Sequence, residues 1–127
     1  MADTTRSSAA SQFEVKDEGG VWLVTPVVDL ASMNWCELPA TARDVLGDAA
    51  GATRPQVVFD LAGHAYFGSY FLGILVRCWK HISSHDGGLA LSGVSEIGRE
   101  VLEITALDTL WEVYPTRADA IEAMAHR

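Results

Sequence analysis

Positive charge is in short supply in this 127-residue sequence: nine Lys and Arg stand against seventeen Asp and Glu, a formal net charge of −8. That balance disfavours a broad footprint on a phosphate backbone or an anionic membrane, so direct nucleic-acid and membrane partners are not expected. Cysteine is scarce too. Cys36 and Cys78 lie far apart among apolar neighbours and read as small buried hydrophobes, not as a redox or zinc motif. No run approaches the ~18 consecutive apolar residues of a membrane span, and the opening MADTTRSSAASQ holds no apolar core for a signal peptide. A cytoplasmic location is the corresponding expectation. Neither a P-loop nor a GxGxxG word occurs, so no nucleotide and no other cofactor is expected.

What the chain does have is 49% apolar composition, enough for one hydrophobic core in a length too short for two ordinary domains. Residues 1–11 are rich in Ser, Thr and Ala without periodicity and read as a flexible tail, leaving 12–127 as a single domain. Phe13 and Val15 alternate with polar residues, Asp17-Glu18-Gly19-Gly20 supplies a turn, and VWLVTPVV follows at 21–28: an antiparallel hairpin. Pro26 puts the end of its second strand at an edge or bulge. Trp35, Leu38, Ala42, Val45 and Leu46 recur at helical spacing. Pro39 confines that helix to a start near Glu37 or Leu38, and Gly47 and Gly51 bracket its exit.

VVFDL, within 56–61, is the near-continuous apolar run of a central parallel strand covered on both faces. In the helix that follows, Phe71, Leu75, Cys78 and Ile82 form one stripe widened by Leu72 and Trp79. Leu89–Leu91 is a short strand. Ile97, Val101 and Ile104 mark a helix capped by Ser95, Leu110–Tyr114 is the last strand, and Thr116 with Asp119 has capping-box spacing at the start of the last helix. The fold class is therefore α/β: a mostly parallel sheet of four to five strands, an N-terminal hairpin and about four helices, with right-handed crossovers.

The chemistry-bearing word is GHAYFGSYFLG, at 63–73. It puts Ser69 in the first turn of a helix, where unpaired backbone N–H groups and the positive dipole end can partly stabilise a phosphoryl group carrying about −1.5 to −2 charge. Helical spacing places Tyr70, Gly73, Ile74, Arg77 and His81 on the flank beside it, and Gly68 and His64 in the approach to it. Gly73 leaves room, Tyr70 and Ile74 offer apolar contact, and Arg77 a charged fork. The plainer reading of the same residues is that Ser69 merely caps the helix, Gly68 serves the turn and Tyr70 shields the sheet edge.

Other groupings carry less. His81 and His85 stand i,i+4 without a third metal ligand nearby and read as helix-end histidines. Asp29, Asp60 and His64 fall near strand C-terminal ends, where α/β enzymes place their sites, yet no nucleophile with its base and orienting group can be assembled from spacing. Asp60 reads better as an acceptor for loop N–H groups. Trp22, Trp35, Trp79 and Trp111 are expected to pack in the core. The chain is thus expected not to be an enzyme.

Three stretches, VVFDLAGHAYFGSYFLGILVRCW, GLALSGVSEIGREVLEITALD and LWEVYPTRADAIEAM, taken in order over Phe13–Met124, resemble the STAS domain family, specifically its stand-alone anti-sigma factor antagonists. In that family an apolar strand ending in aspartate leads through a loop to Asp-Ser-Ser or Asp-Ser-Thr and then Gly-Leu-Gly. The first serine is the phosphoacceptor of an anti-sigma serine kinase, and it falls on Ser69; Leu72 and Gly73 match the end of the word. Gly68 stands where the family has aspartate, and Tyr70 and Phe71 stand at the second hydroxyl residue and next glycine. These changes remove a carboxylate and add two rings where a partner approaches. The resemblance implies a partner-switching cycle: the unmodified protein binds the anti-sigma kinase and frees a sigma factor, phosphorylation dissociates the complex, and a serine phosphatase resets it. The chain itself is then a monomer or weak homodimer. A non-phosphorylated scaffold, with Tyr70 and Phe71 as a standing aromatic contact, is the alternative.

Overall fold

In the computed structural model of the chain, residues 6–8, 13–27, 30 and 42–126 are described, without the side chains of 6–8, 43 and 44. The residues expected to open the first helix, Trp35, Leu38 and Pro39, lie outside that set, as do Cys36 and Asp29. One six-stranded sheet runs in chain order: β1 (Arg6–Ser8), β2 (Phe13–Glu18), β3 (Val21–Pro26), β4 (Gln56–Asp60), β5 (Gly88–Ser92) and β6 (Glu112–Tyr114). The pairs β1–β2 and β2–β3 are antiparallel, and β3–β4, β4–β5 and β5–β6 are parallel. Helices α1 (Ala42–Leu46), α2 (Ser69–Ser84), α3 (Glu96–Ile104) and α4 (Arg117–Ala125) complete the mixed α/β fold, with 3-10 turns at Gly47–Gly51 and Leu107–Thr109.

The β2–β3 hairpin closes at the pair Glu18↔Val21. Its two loop residues, Gly19 and Gly20, both have positive φ, +67° and +98°, the backbone a tight two-residue connection needs and other residues resist. The Asp17 carboxylate accepts the Gly20 N–H at 2.9 Å. Pro26 sits at the end of β3, beyond the last residue, Val24, that pairs with β4, so its missing N–H costs the parallel ladder nothing. Its strand is nevertheless internal, not an edge.

Period-2 alternation divides the sheet's side chains between two cores. Val24, Val57, Phe59, Leu89 and Leu91 face one side with α1, α2 and Leu102 of α3. Leu23, Val58 and Ala90 face the other and are covered by Ala120 and Met124 of α4. The three parallel crossovers explain the burial of β4 and β5 on both faces, which for β4 a near-continuous apolar run had indicated.

Two expectations need correction. The first concerns the tail: Arg6–Ser8 pairs with Phe13–Val15 as an antiparallel edge strand within the stretch read as aperiodic. Strand pairing is made by backbone groups, and a three-residue polar edge leaves no side-chain pattern to read. The second concerns the last strand, which begins at Glu112 instead of Leu110 because the 3-10 turn at Leu107–Thr109 carries the chain around Leu110 and Trp111. Trp111 is buried all the same.

A candidate partner-binding surface at the start of helix α2

Strand β4 is central, and its carboxyl end delivers the chain through residues 61–68 to α2. Ser69 is the first residue of that helix and is exposed. The cap residue Gly68 is extended, with φ −95° and ψ 179°, and has no side chain to accept a capping hydrogen bond. The opening turn therefore presents a hydroxyl, uncapped backbone donors and the positive end of the helix dipole together.

Along the same helix Gly73 and Arg77 are exposed, and a methyl placed on Gly73 would meet nothing within 4 Å. Tyr70 is half-buried with its ring against the main core, and His64 is half-buried in the preceding loop, where its N–H donates to the Leu61 carbonyl at 3.1 Å. Ile74 does not belong with them. It is 2% exposed and packs in the core, because at five residues from Ser69 it has rotated well past the outward face.

Phe71 also departs from expectation. Its ring is fully buried and lies 5.6 Å from that of Phe67, 6.4 Å from Phe13 and 6.5 Å from Phe59. Of the two rings at the family's small positions, only Tyr70 therefore adds bulk near the surface; Phe71 fastens the helix to the sheet. That removes half of the argument for a standing aromatic contact.

His81, placed by spacing on the same flank, is half-buried and engaged: its Nε2 lies 2.7 Å from the Ala50 carbonyl, to which it donates, and its ring stacks on that of His85 at 4.5 Å. The pair ties the end of α2 to the Gly47–Gly51 turn. Among the described residues no group of three or more His, Cys, Asp or Glu side chains could hold a metal ion. Cys78 is buried, and that burial pushes its thiol up to about 12, against a smaller opposing pull from Arg77. Such a thiol is chemically inert at neutral pH.

Asp60 ends β4 with 8% of its surface exposed. One carboxylate oxygen accepts the Ser92 hydroxyl at 3.1 Å and the Ala62 N–H at 3.2 Å; the other lies 3.6 Å from Nε of Arg117, the first residue of α4. It organises the loop, as its position had indicated. A cavity of about 320 Å³ opens beside it, lined by Ala62, Gly93 and the Pro115–Ala118 segment. His64 is not among the residues lining that cavity, so the structure does not join Asp60 and His64 into one cleft. Ser92 and Arg117 are the partners sequence reasoning missed; they are distant in the chain, and only the parallel register of β4 with β5 signals the first.

The STAS domain model matches residues 12–120. This chain belongs to the STAS domain family. A STAS anti-sigma-factor antagonist domain protein from Planctomyces limnophilus superposes with a TM-score of 0.78 at 34% identity, over 89% of this chain and 97% of that one. A Thermotoga maritima protein described as an anti-sigma factor antagonist superposes with a TM-score of 0.74 at 25% identity, over 89% of this chain and 94% of its own. A curated relative from Thermotoga neapolitana is 37% identical over 59 residues, 46% of this chain and 52% of the relative. The chain spans about half the length of the curated relatives it matches. Family membership makes this a regulatory STAS module, a class that works by binding and not by catalysis. No helix among the described residues is long and apolar enough to cross a membrane.

Proposed function

We propose that the chain is an anti-sigma factor antagonist that binds an anti-sigma factor with serine kinase activity through the start of α2, and that phosphorylation of Ser69 releases it. The observation that carries this reading is the exposed Ser69 hydroxyl on an uncapped helix start. Gly68, Tyr70, Gly73, Arg77 and His64 surround that hydroxyl in sequence and form the contact, with Gly73 admitting close approach. The exchange works by electrostatics. A partner that covers Ser69 desolvates it, which costs little for a hydroxyl and much for a phosphate dianion without a facing cation. A serine phosphatase returns the protein to its binding state, and the cycle runs in the cytoplasm with the antagonist as a monomer or weak homodimer.

Gly68 shapes the same switch. With no carboxylate beside the hydroxyl, added phosphate meets no like charge from the neighbouring residue, so the modification's whole effect falls on the partner. The test is affinity for a purified anti-sigma serine kinase. Ser69→Asp is expected to bind at least tenfold more weakly, about 1.4 kcal/mol, while Ser69→Ala binds like wild type and takes up no phosphate from the kinase and ATP. Equal binding of wild type and Ser69→Asp would overturn the reading.

A further inference from the structure

The loop that presents Ser69 is tied to the end of β5 and to the segment that joins β5 to α3. The Leu61 N–H donates to the Ser92 carbonyl at 2.8 Å, and the Ser92 hydroxyl donates to Asp60 at 3.1 Å. Gly93 has φ +68°, and a methyl there would come within 2.9 Å of Ala62. Two residues on, Ser95 does two jobs with one oxygen. It accepts the Gly98 N–H at 3.0 Å, capping α3, and donates its own proton to the Ala65 carbonyl at 2.7 Å, thirty residues away in the chain. Gly98 completes the contact, since a methyl there would stand 3.0 Å from the ring of Phe67, which packs on Phe71 of α2.

From this geometry we infer that Ser95 is a positioning residue for the Ser69 surface: its hydroxyl proton, and not its capping oxygen alone, fixes the 61–68 loop and so the entry of α2. The consequence for partner binding rests on the reading of that surface given above; the tie itself does not. An aliphatic side chain at 95 would lose both bonds. An aspartate keeps the cap, because a carboxylate accepts the Gly98 N–H, but has no proton for Ala65 and opposes that carbonyl. Threonine keeps both. The three substitutions therefore separate a capping role from a positioning one.

The experiment is residue-resolved amide hydrogen exchange on the full chain, with Ser95→Asp and Ser95→Thr beside wild type. In Ser95→Asp the Ala62 and His64 amides are expected to exchange about tenfold faster while the Gly98 amide stays protected, and Ser95→Thr restores the wild-type rates. Loop rates unchanged in Ser95→Asp would overturn the inference, as would a uniform rise across the whole sheet. A second measurement needs no variant: in wild type the Ser95 hydroxyl proton is expected to exchange slowly enough to be seen by NMR beside Ala65, and its averaging with water would count against the tie. Partner assays keep the two proposals apart. A loosened loop in Ser95→Asp, found together with undiminished partner binding by Ser69→Asp, would remove the switch and leave the positioning role standing.

Discussion

Helices α2, α3 and α4 each follow a parallel strand, so all three begin at the same edge of the sheet, but they begin differently. The Ser95 hydroxyl caps α3 and the Thr116 hydroxyl caps α4, accepting the Asp119 N–H at 3.1 Å. At α2 the cap is Gly68, which offers nothing. Among the described residues α2 is the longest helix and buries the most side chains, and it is the one whose cap residue supplies no side-chain acceptor. Stability for α2 comes from its inner face, where Phe71, Leu72, Ile74, Leu75, Cys78 and Ile82 are buried. The lesson is a division of labour: two helix starts are closed by a hydroxyl cap, and the third is held by its buried face alone, which leaves its start open for the contact proposed above.

Substitutions can break that division or sharpen it. The largest effect is expected on the buried side of α2, where Phe71→Ala removes a ring shared by three others and should cost about 3–5 kcal/mol in denaturant unfolding. A cost near zero would mean the aromatic cluster does not anchor the helix. Next is Ser69→Asp, worth at least about 1.4 kcal/mol in partner affinity but with little change in the unfolding midpoint of the free protein. Thr116→Ala should cost about 1 kcal/mol of folding stability and leave partner affinity unchanged. Gly68→Ser closes the open start, and because glycine is itself tolerated at a cap, it should gain only about a few tenths of a kcal/mol. Last comes Cys78, whose titration lowers stability only in alkali. Its folded value near 12 lies above its ordinary 9.0, so its contribution is fully present below about pH 9 and is lost as pH rises toward 12, where the unfolded chain ionises first. In a Cys36→Ser background, labelling of Cys78 at neutral pH should follow global unfolding.

Much of this arrangement was legible in the residues. Alternation located the hairpin and its turn, the apolar run located the central strand, and the Ser95 and Thr116 caps fixed the starts of α3 and α4. The exposure of Ser69, Gly73 and Arg77 followed from helical spacing. Spacing failed at Ile74, which stands three residues from Phe71 and four from Cys78, on the side of the helix that faces the core. It failed differently on α3, where Ile97 and Ile104 marked the helix correctly but are exposed, Ile104 by 82%, while Gly98 and Leu102 face the core. Hydrophobicity reports that a helix exists more reliably than which side it buries. The ties of Ser95 to Ala65, Asp60 to Arg117 and His81 to Ala50 join residues far apart in the chain, and no local pattern encodes them.

The most direct test of the account is the hydrogen-exchange footprint of a bound anti-sigma serine kinase on this protein. Slowed exchange is expected in the opening turns of α2 and in the 61–68 loop, with α4 unchanged, and the slowing should vanish once Ser69 carries phosphate. A footprint confined to α4 or to the β2–β3 hairpin, or one that survives phosphorylation, would contradict the claim that the open end of α2 is the controlled contact.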